Sequence, residues 1–312
     1  MFIVKNRRIF YTFSLVLVIA SLAALSMWGL SYSIDFKGGS SVQFQYSQFR
    51  PDINTVKSEI DSLSFSPTIK GAYTLVPNGT NSYVLDLRTI SDAERSTLSA
   101  VLSSNASNTA EITQFSSIGP VLGQQAAQKS MMAIVLVIIC IVLFITFAFR
   151  KVSEPVSSWK YGAVSIIALC HDIIIPTGTF IILNHYLHGY EIDTLFVTAI
   201  LVILGFSIHD TIVVFDRVRE NLRNNSGSKN KKTFEETVGE SISQTFIRSI
   251  NTSLTTLLAV LVVYLIGPVA TKHFALALLV GIFFGTYSSI FIGSNLLVTL
   301  QKFQDKKAVS KK

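Results

Sequence analysis

Ionisable side chains interrupt apolar sequence at three places. His171-Asp172 and His209-Asp210 each lie within a long aliphatic run, and Arg248 opens a third, followed by Asn251, Thr252 and Thr255 at i+3, i+4 and i+7. At 3.6 residues per turn, Ser207, Asp210 and Thr211 share one helix face, while His209 points about 100° away from Asp210. Arg248, Asn251, Thr252 and Thr255 likewise form one polar stripe. An ionisable group at mid-membrane costs ~2.5–3.5 kcal/mol on insertion scales, so it normally faces the bundle interior and works there. The chemistry that suits such groups is proton exchange. Burial disfavours the charged form of a carboxylate and a neighbouring guanidinium favours it. A pair balanced this way takes up and releases a proton as its separation changes. Asp210 and Arg248 fall at similar depths, which predicts that they pair; the same spacing fits a fixed structural ion pair. His171 also reads as a packing histidine, and Asp172 as an anchor for a neighbouring helix. Hydrolytic and redox signatures are missing from the sequence: no P-loop, H-E-x-x-H, G-x-S-x-G or cysteine cluster occurs. Adjacent residues on a helix diverge, so His171-Asp172 is a poor catalytic dyad. No enzyme, metal site or cofactor is expected.

The elements that must hold these groups follow from composition. The 312 residues are 49% apolar and 14% charged, with mean hydropathy +0.49, where a soluble domain carries about a quarter charged residues. Six apolar stretches, at 9–30, 131–149, 161–183, 194–215, 245–266 and 274–299, match the ~20 residues a helix needs to cross a bilayer core. A cytosolic enzyme, a secreted domain and a disordered chain are excluded. The first stretch follows Lys5, Arg7 and Arg8 but is too long for a signal-peptide core and lacks an A-x-A site, so a retained anchor is expected. Pro176 and Gly178 in the third stretch allow a kink and a close neighbour. Ala277, Gly281, Gly285, Ser289 and Gly293, at four-residue spacing, give the sixth a small-residue stripe for helix packing.

Most of the 26 basic residues, including Arg150, Lys151, Lys229, Lys231 and the terminal lysines, fall on the side of both termini. The positive-inside rule therefore predicts cytoplasmic termini. The net charge of +7 is explained by that asymmetry and by anionic lipid headgroups, without a nucleic-acid partner. Cys140 and Cys170 both fall within spans, as small packing residues rather than a disulfide framework.

Residues 31–129 are too long for a connector and form the one expected external domain. Alternation predicts strands at 40–46, 68–76, 83–87 and 111–118, with a turn at Pro77-Asn78-Gly79. Amphipathic helices are predicted at 52–63 and from the capping box Ser91-x-x-Glu94 to Leu102. Strand–helix–strand–strand–helix–strand is the order of a ferredoxin-like fold. The expected architecture is therefore an α-helical polytopic membrane protein of six transmembrane helices with one external α+β ferredoxin-like domain. A first helix at 1–30 leads to that domain at 31–129, then to a five-helix bundle at 130–300 and a basic tail at 301–312.

Several of these segments resemble one family. Ile34-Asp35-Phe36-Lys37-Gly38-Gly39, directly after the first stretch, is similar to the signature of the SecD/SecF protein-export membrane components. The segment Gly205-Phe-Ser-Ile-His-Asp-Thr-Ile-Val-Val-Phe-Asp-Arg-Val-Arg-Glu-Asn221 resembles the family's fourth-helix motif. Arg248-Ser-Ile-Asn-Thr-Ser-Leu-Thr-Thr256, Gly285-Thr-Tyr-Ser-Ser-Ile290 and His171-Asp172 match its fifth, sixth and third helices. The resemblance covers nearly the whole chain, and the single small external domain sets it apart from SecD, whose external region is larger. It implies an accessory subunit of the Sec translocon in the cytoplasmic membrane. Such a subunit pairs with SecD in a twelve-helix unit similar to resistance-nodulation-division transporters. That unit draws preproteins outward through SecYEG on the proton-motive force, with YajC a further associated component. The resemblance marks Asp35, Gly38 and Gly39 as signature residues and Asp210 and Arg248 as proton-coupling positions. Position 209, usually Asn in the motif, is His here, which adds a titratable group and leaves the ion open between proton and sodium. A passive translocon scaffold and half of an efflux transporter are the competing readings.

Overall fold

The computed structural model describes residues 2–103, 108–149, 158–226 and 232–309. Arg150, Lys151, Lys229, Lys231, Lys311 and Lys312, used above for orientation, lie outside these residues. The chain forms two compact units. The first contains Met1–Gly29, Met132–Ile182 and Leu195–Lys312; the second contains Leu30–Met131 and, beyond the expected 31–129, the segment Leu183–Thr194.

In chain order the elements are α1 (Phe2–Lys5), α2 (Arg7–Trp28), α3 (Ile34–Lys37), β1 (Gly39–Tyr46), α4 (Ile53–Asp61), β2 (Thr74–Asn78), β3 (Ser82–Leu87) and α5 (Asp92–Leu102). They continue with β4 (Ala110–Ile118), α6 (Pro120–Ala148), α7 (Ser158–Leu187), α8 (Thr194–Ser226), α9 (Phe234–Ile266), α10 (Val269–Tyr287), a π-helical segment at Ser288–Gly293 and α11 (Ser294–Val309). Six helices among the described residues are long and apolar enough to span a membrane, the sixth running from α10 through the π segment into α11.

The small unit is an antiparallel sheet in the order β2-β3-β1-β4 covered by α4 and α5, the ferredoxin-like arrangement that its element order predicts. Alternation decides which residues enter its core: Val42, Phe44 and Tyr46 of β1 join Tyr83, Leu85 and Leu87 of β3, Val56 and Ile60 of α4, and Leu98 and Leu102 of α5. Asp52 caps α4 through Asn54 N, and Ser91 with Glu94 closes a reciprocal capping box on α5. The strand predicted at 68–76 begins only at Thr74, and Pro77 and Asn78 belong to it; the turn falls later, at Gly79. Proline is tolerated there because β2 is an edge strand.

Within the larger unit the spans divide by burial. About half or more of the apolar windows of α7, α8 and the sixth span is enclosed, against 17% for α2, 6% for α6 and 11% for α9. Asp172, Asp210 and the hydroxyls around them lie on the enclosed helices and on the inward side of α9. Small residues set the approach distances. A Cβ at Gly178 would fall 2.6 Å from the Ser21 Cα, one at Gly281 inside the Ile203 side chain, and one at Gly285 3.1 Å from the Ser207 Cβ. Positions 281, 285 and 289 therefore step along 203, 207 and 211 of α8, the close contact that small residues permit between helices.

Candidate functional site

Asp172 on α7 is fully buried. Its Oδ1 lies 2.9 Å from His171 Nδ1, and its Oδ2 accepts from Ser288 Oγ at 2.9 Å and from Ser207 Oγ at short range. Ser289 Oγ reaches the Ser207 carbonyl at 3.0 Å and shares a hydrogen bond of 2.8 Å with Thr211 Oγ1, which also donates to the Ser207 carbonyl. Hydroxyls thus connect α7, α8 and the π segment around one carboxylate. The expected divergence of His171 from Asp172 is wrong for the side chains: the rotamers bring the imidazole back to its neighbour.

Asp210 is also buried, and its Oδ2 accepts from Ser253 Oγ at 3.2 Å. Ser253 shares a 2.6 Å hydrogen bond with Thr286 Oγ1 and lies 2.9 Å from the Ser249 carbonyl. A hydroxyl carries one hydrogen, so Ser253 serves the carboxylate or an alternative acceptor, not both. A cavity of about 250 Å³ opens beside Ser253 and Thr286, walled by Leu254, Leu257, Phe283 and Tyr287.

The expected pairing of Asp210 with Arg248 is absent: among the described residues no ion pair reaches either side chain. Arg248, Asn251 and Thr255 are exposed and Thr252 is partly so, and Ser253 lies about 140° around the helix from Arg248. The stripe read from the sequence is the outer face of α9. Its inner face is a second stripe that sequence reasoning missed, Thr237, Ser241, Thr245, Ser249 and Ser253, all buried. The four-residue recurrence of small hydroxyls was the available signal. Four of these hydroxyls lie within donating distance of i−4 carbonyls, which helps them sit inside a bundle. His209 is exposed on α8, turned about 100° from Asp210.

In the small unit the signature residues are architectural. Gly38 and Gly39 have φ of +76° and +138°, a region that L side chains avoid. A Cβ on Gly38 would lie 2.6 Å from the Pro120 Cα, and one on Gly39 2.5 Å from the Leu87 carbonyl oxygen. Asp35 Oδ2 accepts from Thr194 N at 3.0 Å and Thr194 Oγ1 at 2.6 Å, capping α8 from 159 residues away. Ser33 N donates to the Ile192 carbonyl, and Ile192 N to the Ser31 carbonyl. Residues 183–194 thus strap onto the start of the sheet domain. Burial, reinforced by the Asp86 carboxylate and opposed by Lys37, pushes Glu191 in this strap up to about 7. Asp86 is raised too, first by burial, and its Oδ1 is enclosed without a partner.

Comparison with known proteins agrees over both units. Residues 98–303 match the family described as protein export membrane protein SecD/SecF, C-terminal, and residues 29–48 match the SecD/SecF GG motif. The protein translocase subunit SecF of Thermobaculum terrenum is 41% identical over 305 residues, 95% of this chain and 93% of that one. SecF of Anaerolinea thermophila is 35% identical, covering 95% and 92%. Among solved structures, SecDF of Thermus thermophilus, described as a translocon-associated membrane protein, superposes with a TM-score of 0.82 at 31% identity. That match covers 96% of this chain and 38% of the SecDF chain, so the present chain spans about two fifths of that protein. SecDF in a super-membrane-facing form gives a TM-score of 0.66 over 99% of this chain. With the glycine pair, the sheet domain and the six-helix unit all matched, the chain belongs to the SecD/SecF family of protein-export membrane proteins, on its SecF side.

Proposed function

We propose that this multi-pass membrane protein pairs with SecD and, as part of the Sec machinery, uses the proton-motive force to promote preprotein movement through SecYEG. The observation that carries the reading is the setting of Asp210. A carboxylate is enclosed among three helices, held by a hydroxyl with a competing acceptor and beside a cavity, and among the described residues no salt bridge neutralises it. An enclosed carboxylate of this kind changes protonation when its partners shift. Arg248 belongs to the same device from the other side. Its guanidinium, Asn251 and Thr255 are exposed on a helix of a membrane-spanning unit, where a lone charge in lipid is costly, so this face receives a polar partner helix of SecD. Arg248 then acts across the subunit interface, not on Asp210 of its own chain. The sheet domain stands on the external side, both termini are cytoplasmic, and the membrane is the inner one; the chain has no hydrolytic or redox role. YajC accompanies the assembly, anionic lipid meets the basic face, and the ion is the proton in preference to sodium.

Asp210→Asn preserves size and accepts the same Ser253 hydrogen bond. Assembly with SecD, measured by co-purification, is expected to survive while gradient-driven export of a precursor into inverted vesicles is lost. Export that continues at the wild-type rate, with the gradient still required, removes Asp210 from the coupling; export indifferent to the gradient favours a passive scaffold.

A further inference from the structure

The Asp210 reading leaves a second buried ionisable pair unused. His171 is 6% exposed and Asp172 not at all. Both Asp172 oxygens are engaged, but His171 Nε2 is enclosed with no hydrogen-bond partner. With its hydrogen on Nδ1, the imidazole donates to Asp172 Oδ1 across 2.9 Å, and Nε2 is left as a bare acceptor. Neutral histidine beside an ionised aspartate leaves a net negative charge inside the bundle. The groups around the pair do not neutralise it. Ser207 comes from α8 and Ser288 from the π segment, and the hydrogen of Ser288 is divided between Asp172 and the Gly285 carbonyl. Tyr287 of α10 lies nearly parallel to the imidazole at 6.3 Å, with its hydroxyl donating to the Phe10 carbonyl of α2. Among the described residues no ion pair other than His171–Asp172 reaches either side chain.

We propose that His171 Nε2 is a second proton-binding position in the bundle, with Asp172 as its fixed counter-charge. A hydronium ion gives its proton to the Nε2 lone pair, one N–H bond forms, water leaves, and the pair becomes an imidazolium–carboxylate with no net charge. Every contact of Asp172 is kept. The position is linked to the first: Thr286, joined to Ser253 and so to Asp210, stands two residues before Ser288, which holds Asp172. Use of this proton in coupling rests on the reading of Asp210 above; its binding does not.

The test is histidine 15N magnetic resonance of the full chain in lipid nanodiscs, titrated over about pH 5–9, the window in which imidazole changes charge. His171 is identified by the signal lost in His171→Gln or, should that variant not fold, by its coupling to labelled aspartate carboxyl carbon. Nε2 is expected to pass from bare acceptor to protonated donor once across the range. In Asp172→Asn it is expected to stay bare throughout, because a neutral amide offers no counter-charge, and in Asp210→Asn to titrate as in the wild type. A His171 that never gains its second proton, or gains it equally in Asp172→Asn, overturns the proposal. The Asp210→Asn spectrum keeps this outcome separate from any failure of the export assay.

Discussion

Replacing Glu191 by glutamine is expected to tighten the 183–194 strap on the sheet domain at neutral and alkaline pH. Docked, the Glu191 carboxyl sits at about 7 rather than 4.5, first because it is buried, then because Asp86 and Asp193 repel its charge more than Lys37 attracts it. A displacement of that size corresponds to about 3 kcal/mol between the two protonation states. The raised value belongs to the docked state, so the docked strap binds more protons than the open one. Its stabilising contribution is full below about 4.5 and is lost as pH rises through 7. Partial exposure of the carboxyl reduces the usable part to about 1.5–3 kcal/mol, a change of about ten- to a hundredfold in opening. Amide hydrogen exchange in nanodiscs reads this directly at Ser33 and Ile192, whose N–H groups bond across the strap. After correction for intrinsic exchange, opening in the wild type should grow between about pH 4.5 and 7 and level off above that, and stay flat throughout in Glu191→Gln. Identical profiles for the two proteins, or a wild-type strap that tightens as pH rises, would refute the reasoning.

Gly39→Ala is expected to destabilise the sheet domain by about 3 kcal/mol or more. It combines a left-handed backbone penalty of ~1–2 kcal/mol with a Cβ placed 2.5 Å from the Leu87 carbonyl oxygen; loss of exchange protection in β1 and β3 measures it, and unchanged protection contradicts it. Ser253→Ala removes the hydroxyl that holds Asp210, a hydrogen bond to a charged group worth about 1.5–3 kcal/mol. Thermal unfolding in nanodiscs should show the loss, and the double variant with Asp210→Asn should lose less than the two single variants together.

How much of this was legible beforehand differs by element. The six spans were legible because a bilayer demands about 20 apolar residues, and that signal is carried by composition alone. The sheet domain was legible because a two-residue period and a capping box are local. Its least local boundary failed: residues 68–73 have strand-like alternation but no neighbouring strand to pair with, and β2 starts at Thr74. The strap at 183–194 carries no such local signal, since its partners Ser31, Ser33 and Asp35 lie some 160 residues away.

The identities of the costly residues, Asp172, Asp210 and Arg248, were fixed by sequence, because the free energy of placing charge in hydrocarbon depends on residue type and depth. Which of them meet was decided by tertiary structure. The stripe of Arg248, Asn251, Thr252 and Thr255 and the stripe of Thr237, Ser241, Thr245, Ser249 and Ser253 are both periodic on α9, and periodicity does not say which face turns inward. The glycine steps at 281 and 285 against Ile203 and Ser207 bring the sixth span onto α8, where Thr286 takes up the Ser253 hydroxyl. Ser253, not Arg248, thereby faces Asp210. Helical period is a property of one segment, whereas facing is a property of two, and only close packing between segments settles it.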